Sequence, residues 1–165
     1  MTAKELIAMG RYAWNGLFGR ETVADKQAIA RALKLTHTEK FADQIVDTLS
    51  GGERSRIWLA MLLAQESQFL LLDEPLAALD IAHQVEVMQL VHRLSRELNL
   101  GVIIVIHDIN LASRFCDHLV ALHSGKLLAQ GNAHNIVNTP SLQQIYGIEL
   151  NVIEHPQTHR PVSFY

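Results

Sequence analysis

Three short strings hold residues whose types and spacing suit work on phosphate. In Phe69-Leu70-Leu71-Leu72-Asp73-Glu74-Pro75, an apolar run delivers two adjacent carboxylates. Successive side chains on a strand point to opposite faces, so the two acids face different ways. One can serve a hard divalent cation, usually through water, while the other acts as general base on an attacking water. In Leu49-Ser50-Gly51-Gly52-Glu53, the Ser-x-x-Glu spacing is a capping box, in which Ser50 caps a helix and Glu53 reaches back. The two glycines leave backbone N–H groups open to close approach at the positive end of that helix, which suits phosphate. The third string is His107-Asp108, directly after the apolar run 102–106. Each has a plain structural reading when taken alone: an acidic strand end, a capped helix, a hydrogen-bonding histidine.

Holding these groups in place requires strands and helices in alternation, and the chain supplies them. Segments 51–65 and 83–98 read as helices, the second carrying Val85, Met88, Val91, Leu94 and Leu98 at three- and four-residue spacing. Runs 69–72 and 102–106 read as buried strands, each closing on polar residues. This order predicts a parallel α/β sheet with ligands along the carboxyl edge of its strands. Further on, 111–115 reads as a short helix, and 118–122 with 126–130 as a hairpin around Ser124-Gly125. The stretch after residue 130 reads as one or two short helices and a tail. Upstream, Leu6, Ile7 and Met9 lie on a short helix ending near Gly10; 11–20 reads as a loop, and 25–35 returns to helical periodicity. A shift in polarity near residue 48 marks a subdomain boundary.

Composition limits the functional classes. The 165 residues are 48% hydrophobic and 19% charged, which fits a globular chain with a sizeable core. A formal charge of −3 offers no basic field for nucleic acid. The single cysteine, Cys116, permits no internal disulfide and fits a reducing compartment. No stretch reaches the roughly 18 apolar residues of a membrane span, and the N-terminus carries no signal peptide pattern. A cytosolic chain that meets a membrane only through a partner is the expectation.

Together the strings resemble the later part of an ATP-binding cassette (ABC) ATPase. Ser50-Gly51-Gly52-Glu53 resembles the family's signature motif, and Leu70-Leu71-Leu72-Asp73-Glu74 its Walker B strand, at the short separation the family shows. Ala78-Leu79-Asp80 follows as the D-loop does, and His107 stands where the switch histidine stands. The resemblance implies a partial P-loop NTPase fold: a parallel sheet with helices, preceded by a helical signature subdomain. Its divisions would be 1–66, the helical subdomain with the signature; 67–132, the C-terminal part of the α/β core; and 133–165, terminal helices and tail. It implies ATP and Mg²⁺ as ligands, with Asp73 organising Mg²⁺ through water, Glu74 polarising the attacking water and His107 contacting the γ-phosphate. Ser50, Gly51, Gly52 and Glu53 would bind nucleotide held by a second subunit, and Asp80 would lie at the dimer seam. The chemistry implied is phosphoryl transfer to water, carried mainly by positioning and electrostatics.

Two family elements are missing from the sequence. The only Gly-Lys pair is Gly125-Lys126, and Val120 and Leu127 occupy the positions a phosphate loop gives to Gly and Ser or Thr. No Q-loop precedes the helical region either. The family places both upstream, so Met1 reads either as an internal methionine or as the surviving start of a truncated gene. The isolated chain is expected to bind ATP negligibly, to turn over none and to expose an edge of its sheet. A smaller departure is Leu76-Ala77, where the family commonly has Thr and a small polar residue.

Finer strings resemble the importers of ferric siderophores, haem and cobalamin. They are Met9-Gly10-Arg11-Tyr12, Asp80-Ile81-Ala82-His83-Gln84 and His107-Asp108-Ile109-Asn110-Leu111-Ala112. Ser50 through Arg56, with Trp58, and the tail strings Ile145-Tyr146-Gly147-Ile148 and Pro161-Val162-Ser163-Phe164 resemble most the ferric hydroxamate type. The implied partners are a second identical ATPase subunit, an integral-membrane permease and, indirectly, a substrate-binding protein, at the cytoplasmic face of a bacterial inner membrane. Trp14, Leu17 and Phe18 read either as a contact for the permease or as packing inside the helical region. Two other readings stand beside the importer. A DNA-repair or chromosome-structure ABC protein would need heptads or a basic stripe, and neither is present. A non-catalytic fragment lending its signature face to a complete partner is the other.

Overall fold

In the computed structural model, residues 1–16 and 21–165 are described, and their contacts divide the chain into two units, Met1–Val105 and Ile106–Tyr165. The first unit begins with helices, and the sequence shows why each starts where it does. Helix α1 (Ala3–Met9) opens on a capping box between Thr2 and Glu5, and α3 (Val23–Leu35) on one between Thr22 and Asp25. The expected loop after Gly10 contains a short helix, α2 (Tyr12–Asn15), which ends at Gly16 with φ +65°. A single turn is too short to show periodicity, and residues 17–20, with Leu17 and Phe18, lie outside the described set. Trp14 is exposed, and its indole nitrogen donates to the Gln65 carbonyl at 2.9 Å.

Helices α1 and α3 pack on α4 (Gly51–Ala64), sealing a core that includes Leu6, Ile7, Ile29, Phe41 and Ile57. Gly10 lets α1 lie directly on α4, because a Cβ there would overlap the Met61 carbonyl. A buried cation ties the same elements together. Arg11, 6% exposed, donates through Nε to Asp25 and through Nη1 to both the Ala64 carbonyl and Glu66, at 2.7–2.8 Å. With a carboxylate inside the core and another at its rim, the guanidinium is satisfied without water, as a buried charge must be.

Strand β1 (Phe69–Asp73) pairs in parallel with β2 (Gly101–Val105), Phe69 opposite Gly101 and Asp73 opposite Val105. Both strands sit within a residue of the stretches expected from sequence. Leu70 and Leu72 face inward, while Phe69, Leu71 and Ile103 are more than half exposed on the other side. Among the described residues β2 has no second strand partner. Between them runs α5 (Ile81–Glu97), which starts two residues earlier than its apolar spacing suggests because Asp80 caps it, accepting from the His83 N–H at 2.9 Å.

The second unit holds α6 (Ile109–Phe115), the hairpin of β3 (Leu119–His123) and β4 (Lys126–Gly131), then α7 (Ala133–Ile136) and α8 (Thr139–Tyr146). Leu119, Ile136, Val137, Leu142 and Leu150 form its core. The tail is not irregular: β5 (Asn151–Glu154) and β6 (Pro161–Phe164) make a second antiparallel hairpin. Four-residue strands carry too little alternation to stand out in a sequence, and this pair is held by a distant residue. Asn110 on α6 donates to the Ser163 carbonyl at 3.0 Å and accepts from the Ser163 N–H at 2.8 Å. Ser113 adds a bond to the Pro161 carbonyl at 2.7 Å. Among the described residues no helix is long and apolar enough to cross a membrane.

Candidate functional site

The signature string forms the first turn of α4. Ser50 is extended, and Glu53 folds back to accept from the Ser50 N–H at 2.9 Å and the Ser50 hydroxyl at 2.8 Å. These bonds, the backbone N–H foremost, hold the Glu53 carboxyl below its usual range. The glycines have a second role that the sequence did not reveal. A Cβ on Gly51 would meet the Leu79 side chain at 3.2 Å and the Ala78 carbonyl at 3.7 Å. One on Gly52 would stand 2.9 Å from Cγ and 3.1 Å from Nε2 of His83, and nearer still to Cδ2. The missing side chains therefore admit the 78–80 turn and the start of α5, while the Ser50 side remains exposed.

Asp73 is the last residue of β1 and is exposed; Glu74 follows it in a left-handed conformation, φ +44°. A non-glycine residue held there is strained, as are His37, Glu66, Asn99, Ser124 and His159 at positive φ; at Glu74 the strained backbone coincides with the acid that ends the strand. The turn beyond is tightly bonded. The Ala77 N–H donates to the Glu74 carbonyl at 3.2 Å, and that of Leu79 to Leu76 at 3.1 Å. Leu76 is buried, and the Gln84 side-chain amide reaches the carbonyls of both Leu76 and Leu79, at 3.2 and 3.1 Å. Asp80 closes the turn with both oxygens occupied: Oδ1 accepts the His83 N–H, and Oδ2 lies 2.8 Å from His83 Nδ1. The backbone bond, then the ring, hold the Asp80 carboxyl below its usual range.

His107 belongs to the second unit, where it is exposed and its carbonyl accepts from the Tyr146 hydroxyl at 3.3 Å. Its neighbour Asp108 is a helix cap, accepting from the N–H groups of Asn110 and Leu111 at 2.7 and 3.0 Å. The fold thus brings Ser50–Gly52 against the turn ending at Asp80, and sets Asp73 and Glu74 at a strand's carboxyl end. Two residues of this arrangement, His83 and Gln84, were visible in the sequence only as part of a family-like string. Their roles depend on α4 and α5 lying side by side, which no local pattern announces.

Comparison with known proteins finds likeness to ABC transporters. Residues 2–77 match the ABC transporter family. A metal-chelate type ABC transporter solved in an inward-facing conformation superposes over all of this chain and 67% of its own, with a TM-score of 0.91 and 25% identity. The ADP-bound ATP-binding cassette MJ1267 shares the fold over 90% of this chain and 63% of its own, with a TM-score of 0.79 at 18% identity.

The similar curated proteins are named for iron-chelate and hemin transport. The ferric enterobactin transport ATP-binding protein of Escherichia coli is 43% identical over 98% of this chain and 60% of its own length. The iron(3+)-hydroxamate import ATP-binding protein of Bacillus subtilis is 39% identical over the same shares. The hemin import ATP-binding protein of Rhodococcus jostii is 41% identical over 95% of this chain and 53% of its own. The chain spans about 60% of the length of the first of these relatives.

Proposed function

We propose that this chain is the signature, Walker B and switch portion of the ATP-hydrolysing subunit of an importer for a ferric siderophore. The single observation that carries the reading is the left-handed Glu74 at the carboxyl end of β1, leading into a bonded turn on which the signature glycines rest. Ser50, Gly51, Gly52 and Glu53 offer a helix N-terminus and open N–H groups to the phosphates of ATP held by a second, identical subunit. Asp80 lies at the seam between the two. Asp73 and Glu74 are exposed carboxylates, a hard oxygen donor set that fits Mg²⁺, which keeps most of its waters and takes one or two carboxylates beside substrate phosphates. Asp73 would hold it through water, and the bound ion would neutralise charge on the phosphates. Glu74 orients and deprotonates the attacking water, and His107 contacts the γ-phosphate.

The amides and lysine of a phosphate loop appear nowhere in this sequence, so the 165 residues alone are expected to turn over no ATP. The helical subdomain 1–66 carries the signature, 67–132 supplies the catalytic edge of the core, and 133–165 forms the C-terminal helices and tail. The assembly would include a membrane permease, and a substrate-binding protein indirectly, at the cytoplasmic face of a bacterial inner membrane. Nucleic acid is not a partner at a net charge of −3. A hydroxamate siderophore is the narrower cargo, on the strength of residues 50–56 and the tail strings.

A chimaera carrying this chain in place of the aligned 162 residues of the Escherichia coli relative tests the reading. Its ATPase rate should fall by about a hundredfold or more on Glu74→Gln, the loss of a general base. Hydrolysis unchanged by that substitution would overturn the assignment. Growth on ferric hydroxamate against ferric enterobactin as sole iron, with the matching permeases, decides the cargo.

A further inference from the structure

We propose that His83 is a positioning residue that sets the signature turn and Asp80 relative to one another within a single chain. The inference rests on the reading above, that Ser50–Gly52 and Asp80 both face nucleotide. The geometry has three parts. First, one side of the His83 ring fills the space left by the absent Cβ of Gly52, a buried residue. Second, Nδ1 of the same ring lies 2.8 Å from Asp80 Oδ2, while the His83 N–H bonds Oδ1 at 2.9 Å, so one residue fixes the whole carboxylate plane. A carboxylate is acceptor-only, so Nδ1 carries the hydrogen and donates. Third, Gln84 pins the carbonyls of Leu76 and Leu79, and Leu79 in turn rests on Gly51. The turn therefore cannot shift without moving the helix start that would bind phosphate.

Capping alone does not require the imidazole, because Asp80 needs only the His83 backbone N–H to start α5. At α1, α3 and α4 the residue three past the cap is an acid that returns to the cap's backbone N–H. At α5 that position is His83, and its ring goes to the cap's carboxylate while its far edge meets the signature. Such an arrangement transmits a displacement of Asp80 to Gly52 through a stiff ring, rather than through the strand and helix that separate them in sequence.

The test uses substitutions that divide the ring's functions. His83→Asn places an amide N–H where Nδ1 stood; His83→Gln reaches toward the position of Nε2; His83→Ala supplies neither. In the full 165-residue chain, amide exchange at Glu53, Arg54 and Leu79, whose N–H groups are bonded, is read by NMR, with Ile57 in the core as the control for folding. His83→Ala should raise exchange at all three by about tenfold, the scale of one hydrogen bond to a charged group, with Ile57 unchanged. His83→Asn should restore protection at both the signature and the turn, and His83→Gln should not. Exchange that rises at Leu79 alone, or Asn and Gln variants that behave alike, would overturn the proposal. If the alanine variant does not fold, the Asn and Gln pair still decides. In the chimaera, His83→Ala should lower kcat by about tenfold with KM for ATP little changed, and His83→Asn should recover it. A kcat unaffected by His83→Ala counts against positioning, whereas hydrolysis insensitive to Glu74→Gln defeats the assigned function instead.

Discussion

Gly51 and Gly52 are neighbours in one helical turn, yet alanine should be tolerated at the first and costly at the second. On its own, replacing glycine by alanine in a helix interior gains up to about 1 kcal/mol, and less in the first turn. At Gly51 the new methyl presses on the end of the flexible Leu79 side chain at 3.2 Å and lies at ordinary contact distance, 3.7 Å, from the Ala78 carbonyl. That chain can turn aside, so Gly51→Ala should change stability by no more than about 0.5 kcal/mol. At Gly52 the methyl enters the His83 ring, with Cγ at 2.9 Å, and the ring is anchored by Asp80 at 2.8 Å. Overpacking of this kind costs about 1–3 kcal/mol, leaving a net loss of about 1–2 kcal/mol after the helical gain. Urea unfolding followed by tryptophan fluorescence reads the result cleanly, because Trp14 and Trp58 both lie in the first unit. With a slope near 2 kcal/mol/M, the Gly52→Ala midpoint should drop by about 0.5–1 M. Emptying the space with Gly52→Ala and His83→Ala together should be less harmful than the sum of the two, by about 1 kcal/mol. Equal stability of the two glycine variants, or strict additivity in the cycle, would show that the ring does not press on the signature turn.

Two further perturbations probe each unit. Arg11→Met leaves Asp25, 2% exposed, without its guanidinium but still bonded to Thr22, and should cost about 3 kcal/mol in the same unfolding assay. Adding Asn at position 25 should recover part of that loss, since the uncompensated charge is then gone. Asn110→Ala removes the bonds to Ser163 that hold β6 against α6, a loss of about 1–3 kcal/mol. Limited proteolysis should then cut the 151–164 hairpin faster, while cleavage near β2 stays unchanged.

Legibility in the sequence followed the range of the forces involved. The Ser50–Glu53 capping box, the two apolar strand runs and the Ser124-Gly125 hairpin are local, and each is present where its residues put it. Asp80 shows the limit of periodicity: side-chain capping extended α5 beyond its first apolar residue. Arg11 looked like a loop residue, because its partners Asp25, Ala64 and Glu66 lie on elements that meet it only after α1, α3 and α4 pack. The β5–β6 hairpin was missed for the same reason, since Asn110 and Ser113 hold it from a remote helix. At the candidate site, the acids and glycines stand out by type and spacing, whereas the His83 ring against Gly52 is a matter of two helices in register.

At Glu74, foldability and chemistry pull against each other. A backbone at φ +44° is easiest for glycine and next easiest for asparagine, and a glutamate there costs roughly 1 kcal/mol. A library of variants screened only for heat resistance should therefore drift toward glycine at this position, and would shed the proposed general base as it does so. On the proposed reading, the same library carried in the chimaera and screened for ATP hydrolysis would drive the position back to the acid. The turn after β1 is thus one place where the two selections disagree about a single residue, and a stability gain there is a warning that function has been given up.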